Sequence, residues 1–134
     1  MLYSEILIPD LDKSIHCFCL HLNLFHRSRV KQYERISEII NSTQSKNSPL
    51  IVAGDLNDWN KKSSDLFENK LGMKEAHYNI HGVYAKTFPV VAPMLTLDRI
   101  YFSGLEVKDA KVFKDGTWSQ MSDHAALFAE LNLE

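Results

Sequence analysis

Four places in the chain carry side chains that their surroundings do not call for. The segment "PLIVAGDLNDWN" (49–60) is an apolar run that breaks at Gly54 into Asp55, Asn57 and Asp58. His21 closes the mostly apolar "HCFCLH", Asp98 interrupts "LTLDRIYF", and Asp123-His124 precede "AALFAEL". An acid inside a strand opposes both propensity and burial. Taken singly, each has an ordinary explanation. His21 reads as a hydrogen-bonded structural histidine, Asp55 as a turn former, Asp98 as half of a surface ion pair with Arg99, and "SDH" as a common tripeptide. Taken together, they supply what metal-assisted phosphoryl chemistry requires. That chemistry needs carboxylates for a hard cation such as Mg²⁺, a polar group to orient water, and donors for the phosphate oxygens.

Strands and helices must bring these groups together. "YSEILIP" and "SIHCFCLHL" are strand-like, and the turn residues "DLDK" between them predict a β-hairpin. In "SRVKQYERISEIINS" the spacing of Val30, Tyr33, Ile36, Ile39 and Ile40 predicts an amphipathic helix that ends in a polar loop between Asn41 and Ser48. "LIVA" is a short apolar run, the pattern of a strand covered on both faces. "SSDLFENKLG" predicts a short helix with a serine N-cap and Gly72 as its stop. Residues 77–95 read mostly as loop, and "TLDRIYF", "EVKDAKVF" and "AALFAELNL" as three further strands. This order predicts a mixed α/β sandwich and not an all-parallel, doubly wound sheet.

Bulk properties narrow the field. A chain of 134 residues with 45% hydrophobic and 24% charged content suits one soluble domain. Its formal charge of −2 gives no general attraction to nucleic acid or anionic membranes. Arg27, Arg29, Lys31 and Arg35 are either a local basic patch or the solvated face of the helix. Cys17 and Cys19 would share one face of a strand, where bridging would strain the geometry, so they read as reduced core thiols in a cytoplasmic protein. No stretch approaches a membrane-spanning helix. Without G-x-x-x-x-G-K-[ST], "LIVAGD" is not part of a P-loop enzyme. "GDLND" lacks the flanking D-x-H and G-N-H-[DE] of calcineurin-like phosphatases, and no Cys/His quartet has structural zinc spacing.

The ordered set "HLNL" (21–24), "GDLN" (54–57), "LDRIY" (97–101) and "SDHAAL" (122–127) resembles the endonuclease/exonuclease/phosphatase superfamily, whose fold is deoxyribonuclease I-like. "RVKQYERI" resembles the Arg-Gln-rich helix that follows the family's His strand. "GDLNDW", "TFP" and "LDRIY" resemble a bacterial subgroup of which some members are associated with cardiolipin synthase. The resemblance implies a Mg²⁺- or Mn²⁺-dependent phosphodiesterase or nuclease. It implies that Asp55 activates water and, with Asp123, serves the metal. Asn57 would hold the water or a phosphate oxygen, while His21 and His124 would contact the phosphate. Asp98 would fix the tautomer of His124 and favour its protonated form. The implied substrates are phosphoesters: nucleic acid, a phospholipid headgroup or an inositol phosphate.

Two departures matter. The family domain is about twice as long, and its N-terminal half supplies an Asn and a metal-binding Glu that residues 1–20 do not provide. The resemblance therefore predicts one partial domain over 1–134, corresponding to the C-terminal sheet and its helices. Three readings stay open: a metal-dependent phosphodiesterase or nuclease, a catalytically impaired fragment or binding module that keeps the fold, and a phosphomonoesterase or lipid-headgroup hydrolase. A half-sandwich would expose one sheet face, which predicts a homodimer.

Overall fold

The computed structural model describes residues 1–9, 12–43 and 48–134; the expected hairpin turn at 10–11 and part of the polar loop at 44–47 lie outside the described residues. Strands β1 (Leu2–Ile8) and β2 (Lys13–His21) pair antiparallel, as the turn residues predict. Helix α1 (His26–Thr43) carries the chain back to β3 (Leu50–Asp55), which lies parallel to β2. β4 (Lys74–Glu75) and β5 (Asp98–Ser103) complete a mixed sheet in the order β1-β2-β3-β5-β4. β6 (Leu105–Phe113) and β7 (Ala126–Leu133) form a separate antiparallel pair. The mixed α/β sandwich is thus present.

Period-two alternation decides what each face does. Phe18 and Leu20 of β2, Leu50 and Val52 of β3, and Tyr101 of β5 pack with Ile36 and Ile40 of α1. The intervening residues, Ile51, Ile100 and Phe102, pack with Leu105, Val107 and Ala110 of β6 and Ala129 and Leu131 of β7. One sheet is therefore covered by a helix on one side and by a second sheet on the other. β1 lies beyond this cover, with Leu2, Ile6 and Leu7 all exposed.

Several local expectations change. Val30 is exposed, and Arg29 takes the inward position in its place. Arg29 therefore cannot belong to a basic surface patch; its Nη1 donates to the carbonyls of Asn23 and Leu24, at 3.2 and 2.5 Å. Gln32, one turn on, accepts from the Asn23 amide at 2.8 Å, so α1 clamps the chain just after His21. The "SSDLFENKLG" helix is a π-helical turn, Asp65–Lys70, and Ser64 gives it no side-chain cap. The Ser64 hydroxyl donates to the Lys61 carbonyl, while Gly72 does end the turn with φ +65°. Residues 77–95 are not all loop: helix α2 (Ala76–His81) lies there, N-capped by Glu75 through the Tyr78 amide. Cys17 and Cys19 are free thiols, but Cys19 is exposed and is not a core residue, because its face of β2 lies beyond the second sheet.

A buried polar network ties the loop after β3 to β5. Asp58 accepts from the Ser63 amide and hydroxyl, at 2.9 and 2.6 Å, and faces Arg99 Nη2 at 3.2 Å. Both side chains are at most 1% exposed. Arg99 also donates to the carbonyls of Thr96 and Asp98, and its guanidinium lies 4.4 Å from the centroid of the Tyr84 ring. Arg99 is therefore not the surface partner of Asp98, and Asp58 is no simple loop acid. Removing one partner of such a pair strands a buried charge, at a cost of about 3–5 kcal/mol. Arg99→Met should lose about that much in urea unfolding, and adding Asp58→Asn should restore most of it. A double variant no more stable than the single one would refute this role.

Candidate active site

The strand register assembles the site. His21 pairs with Asp55 across β2 and β3, and Asp55 pairs with Asp98 across β3 and β5. All three follow the alternation Cys17–Cys19–His21, Ile51–Ala53–Asp55 and Phe102–Ile100–Asp98, so they share the face that bears β6 and β7. The apolar face of the sheet becomes polar along one row, at one edge. Gly54 makes this row possible: its φ is +137°, and a Cβ there would lie 2.0 Å from the Leu20 carbonyl oxygen.

The fourth segment reaches the row from the other sheet. Short helix α3 (Trp118–Met121) leads into Asp123-His124, just before β7. The 87–95 turn holds this segment in place. Val90 N donates to the Asp123 carbonyl and Ala125 N to the Thr87 carbonyl, both at 2.7 Å, while the Phe88 ring lies 5.0 Å from the His124 ring.

Within the site His124 Nδ1 is hydrogen-bonded to Asp98 Oδ2 at 2.8 Å. With a carboxylate as acceptor, Nδ1 carries the proton, and Nε2 lies on the side of Asp55. The same Asp98 oxygen accepts from the Thr87 hydroxyl, and Thr87 is fully buried. Thr87 is a positioning residue that the sequence reading missed. Its only trace there was "TFP", in a segment read as loop. Asp55 Oδ1 accepts from the Asn57 amide at 2.8 Å, and the Asn57 side chain donates to the Leu22 carbonyl at 2.6 Å. This bond holds Asn57 in the left-handed region, φ +47°, where asparagine is tolerated better than most residues.

Asp55 Oδ2 is the focus of the arrangement. His21 Nε2 lies 3.6 Å from it and His124 Nε2 lies 3.9 Å from it. Both distances exceed hydrogen-bond range, so Asp55 Oδ2 is bonded to neither ring. Asp55, Asp98 and His124 also offer ligand atoms within 4.8 Å of one another, the one such cluster of three or more among the described residues. The structure thus brings together His21, Asp55, Asn57, Asp98 and His124. Asp123 is exposed and stands outside that cluster, next to His124.

Burial alone would lower the His124 pKa, but the hydrogen bond and charge of Asp98 and the charges of Asp55 and Asp123 outweigh it. The net result lies above the ordinary value of 6.5. The imidazolium is therefore favoured in the folded state, beside a place where negative charge could develop.

A mixed sheet covered by a helix on one side and by a second sheet on the other, with this row of groups at one edge, is a layered α/β fold. The sequence profile of the Endonuclease/Exonuclease/phosphatase family matches residues 4–124, and the chain belongs to that family. It is 38% identical over 133 residues to the uncharacterised protein YbhP of Escherichia coli K12, covering 99% of this chain and 52% of YbhP. The chain spans about half the length of the curated relatives it matches. A functionally unknown conserved protein from Enterococcus faecalis superposes with a TM-score of 0.76 at 21% identity, covering 94% of this chain and 53% of that one. A mannosyl-6-phosphatase from Bacteroides thetaiotaomicron gives 0.71 at 24% identity, covering 91% and 52%. These likenesses establish the shared fold.

The raised His124 pKa has a testable consequence for stability. A histidine whose folded pKa is raised adds stability below its unfolded pKa and loses it as pH rises through the folded value. Stability attributable to His124 should therefore be full below about pH 6.5 and decline above it. Urea midpoints of the unaltered chain and His124→Gln should converge as pH rises through that window. A constant gap would count against the assignment.

Proposed function

We propose that this site hydrolyses phosphoester bonds by direct attack of water, as a phosphodiesterase or nuclease-like hydrolase. One observation carries the reading: two imidazole Nε2 atoms flank a single Asp55 oxygen, each too far to bond it directly. Asp55 orients the water and accepts its proton, and Asn57 holds the water or a phosphate oxygen. His124, whose protonated form Asp98 favours, donates to a phosphoryl oxygen, and His21 assists at the phosphate or the leaving group. Most of the rate enhancement then comes from positioning and charge neutralisation. Thr87 acts through Asp98 and touches no reacting atom.

The donor set suits a hard divalent cation. Asp55, with Asp98 beside it, would hold Mg²⁺ or Mn²⁺, which take oxygen ligands and keep several waters, and Asp123 would serve the ion from outside that group of ligand atoms. Bound there, such an ion supplies Lewis-acid polarisation of a phosphoryl oxygen. The substrate is a phosphoester with a nucleic acid, phospholipid headgroup or inositol portion. Exposed Phe25 and Trp59, each four residues beyond His21 and Asp55, offer apolar contact to the rest of it. We read the chain as one partial domain in a cytoplasmic setting, consistent with its free thiols. No described helix is long and apolar enough to cross a membrane.

Hydrolysis of bis-p-nitrophenyl phosphate with Mg²⁺ or Mn²⁺ tests the chemistry. Asp55→Ala should lower kcat at least about 100-fold, the range for a positioned acid or base, and chelation should abolish turnover. Background rates in both the unaltered chain and Asp55→Ala would instead assign a binding module. An active chain indifferent to Asp55→Ala would sink the catalytic assignment.

The exposed apolar β1 supports a homodimer through this uncovered part of the sheet. Light scattering should show a dimer that Ile6→Lys dissociates; a monomer at every concentration would contradict it.

A further inference from the structure

The candidate active site leaves a pair of histidines unused. His77 and His81 stand four residues apart on α2, so they share one face of the helix. Their rings lie together, with centroids 4.4 Å apart. His77 is half-buried and His81 exposed, so solvent reaches the pair.

Each ring is anchored through one nitrogen. His77 Nδ1 bonds the Val83 carbonyl and His81 Nε2 bonds the Ala110 carbonyl, both at 2.7 Å. A carbonyl can only accept, so each of these nitrogens must carry the proton. In the neutral imidazoles His77 Nε2 and His81 Nδ1 therefore keep their lone pairs. The two carbonyls belong to the turn after α2 and to β6, which fixes both rings to the frame. Histidines that ligate metals are commonly held in this way, with the second ring nitrogen donated to a backbone carbonyl.

We propose that His77 and His81 form a binding site for a late first-row divalent cation, with solvent completing its coordination. Imidazole nitrogen suits Zn²⁺, Cu²⁺ and Ni²⁺, whereas Mg²⁺ prefers oxygen. The pair is thus chemically distinct from the carboxylate-rich cluster of Asp55, Asp98 and His124. A bound ion links the two ends of α2 and steadies its packing on β6.

Zn²⁺ alone is the probe, titrated into the intact chain by calorimetry with millimolar Mg²⁺ present. A Zn²⁺-binding event should be weakened at least about tenfold by His77→Ala or His81→Ala and should survive Asp55→Ala. In the unaltered chain, the ring ¹⁵N signals of His77 and His81 should shift together on adding Zn²⁺, a readout that needs no variant to fold. Zn²⁺ affinity unchanged in both histidine variants, or Zn²⁺ addition that leaves both rings unshifted, would overturn the proposal. Neither result depends on phosphoester hydrolysis, so failure here is separable from failure of the active-site assignment.

Discussion

The missing side chain at Gly54 sets how closely β2 and β3 can approach at the candidate site. Any Cβ at this position would collide with the Leu20 carbonyl, 2.0 Å away. The same residue is registered against Leu20 on one side and Arg99 on the other, one step before the row of His21, Asp55 and Asp98. A slip of one residue in either pairing would turn the polar side chains onto the α1 face, into the cluster around Phe18, Val52 and Tyr101. The cost of burying them there holds the register, and the register makes the site. The apolar run "LIVA" and the polar ending "GDLND" are therefore two consequences of one strand crossing the sandwich to its edge.

Behind that row, the loops are held by buried polar contacts as well as by the apolar packing of Leu22 and Leu56. Asp58 and Arg99 join the loop after β3 to β5, and Ser63 extends the network to the Tyr101 hydroxyl at 2.8 Å. Arg29 and Gln32 secure the chain beyond His21 by the same means. Such pairs are weak sources of net stability, since desolvation consumes most of their attraction. The Nε and Nη2 of Arg29 are even buried without a protein partner among the described residues, which adds to that cost. What these contacts do provide is directional bonding. A loop closed by directional bonds has fewer alternative arrangements than one closed by apolar contact alone.

The sequence made the strands and the site legible to different degrees. β2, β3, β5, β6 and β7 could be read because alternation or a short apolar run marks each of them. His21, Asp55 and Asp98 stand out because each violates the pattern of its own strand, and His124 stands out only as part of the polar "SDH" ahead of β7. Arg29 and Arg99 were misread because a charged residue in sequence looks solvated until its partner is known. Arg29 sits one position before Val30, and period alone cannot tell which of two neighbours faces inward. Thr87 was invisible for a related reason. Its hydroxyl matters only through Asp98, eleven residues away across a folded turn. Helix α2 escaped notice because it is six residues long, too short for a 3.6-residue period to declare itself.

Charge at the site imposes a further condition. Asp55 and Asp98 are directly opposed on neighbouring strands, an arrangement that is unfavourable for two like charges. The structure resolves the conflict unequally. Asp98 is satisfied from within the chain by Thr87 and His124, both on the same oxygen. Among the described residues, Asp55 receives the Asn57 amide on Oδ1, and its Oδ2 looks toward two imidazoles beyond bonding distance. One carboxylate is therefore committed to structure while the other keeps an oxygen for something that enters. A protonated His124 would ease the repulsion, and so would a bound cation. The proposed roles of Asp55 and Asp98 rest on this asymmetry between the two acids more than on the presence of either.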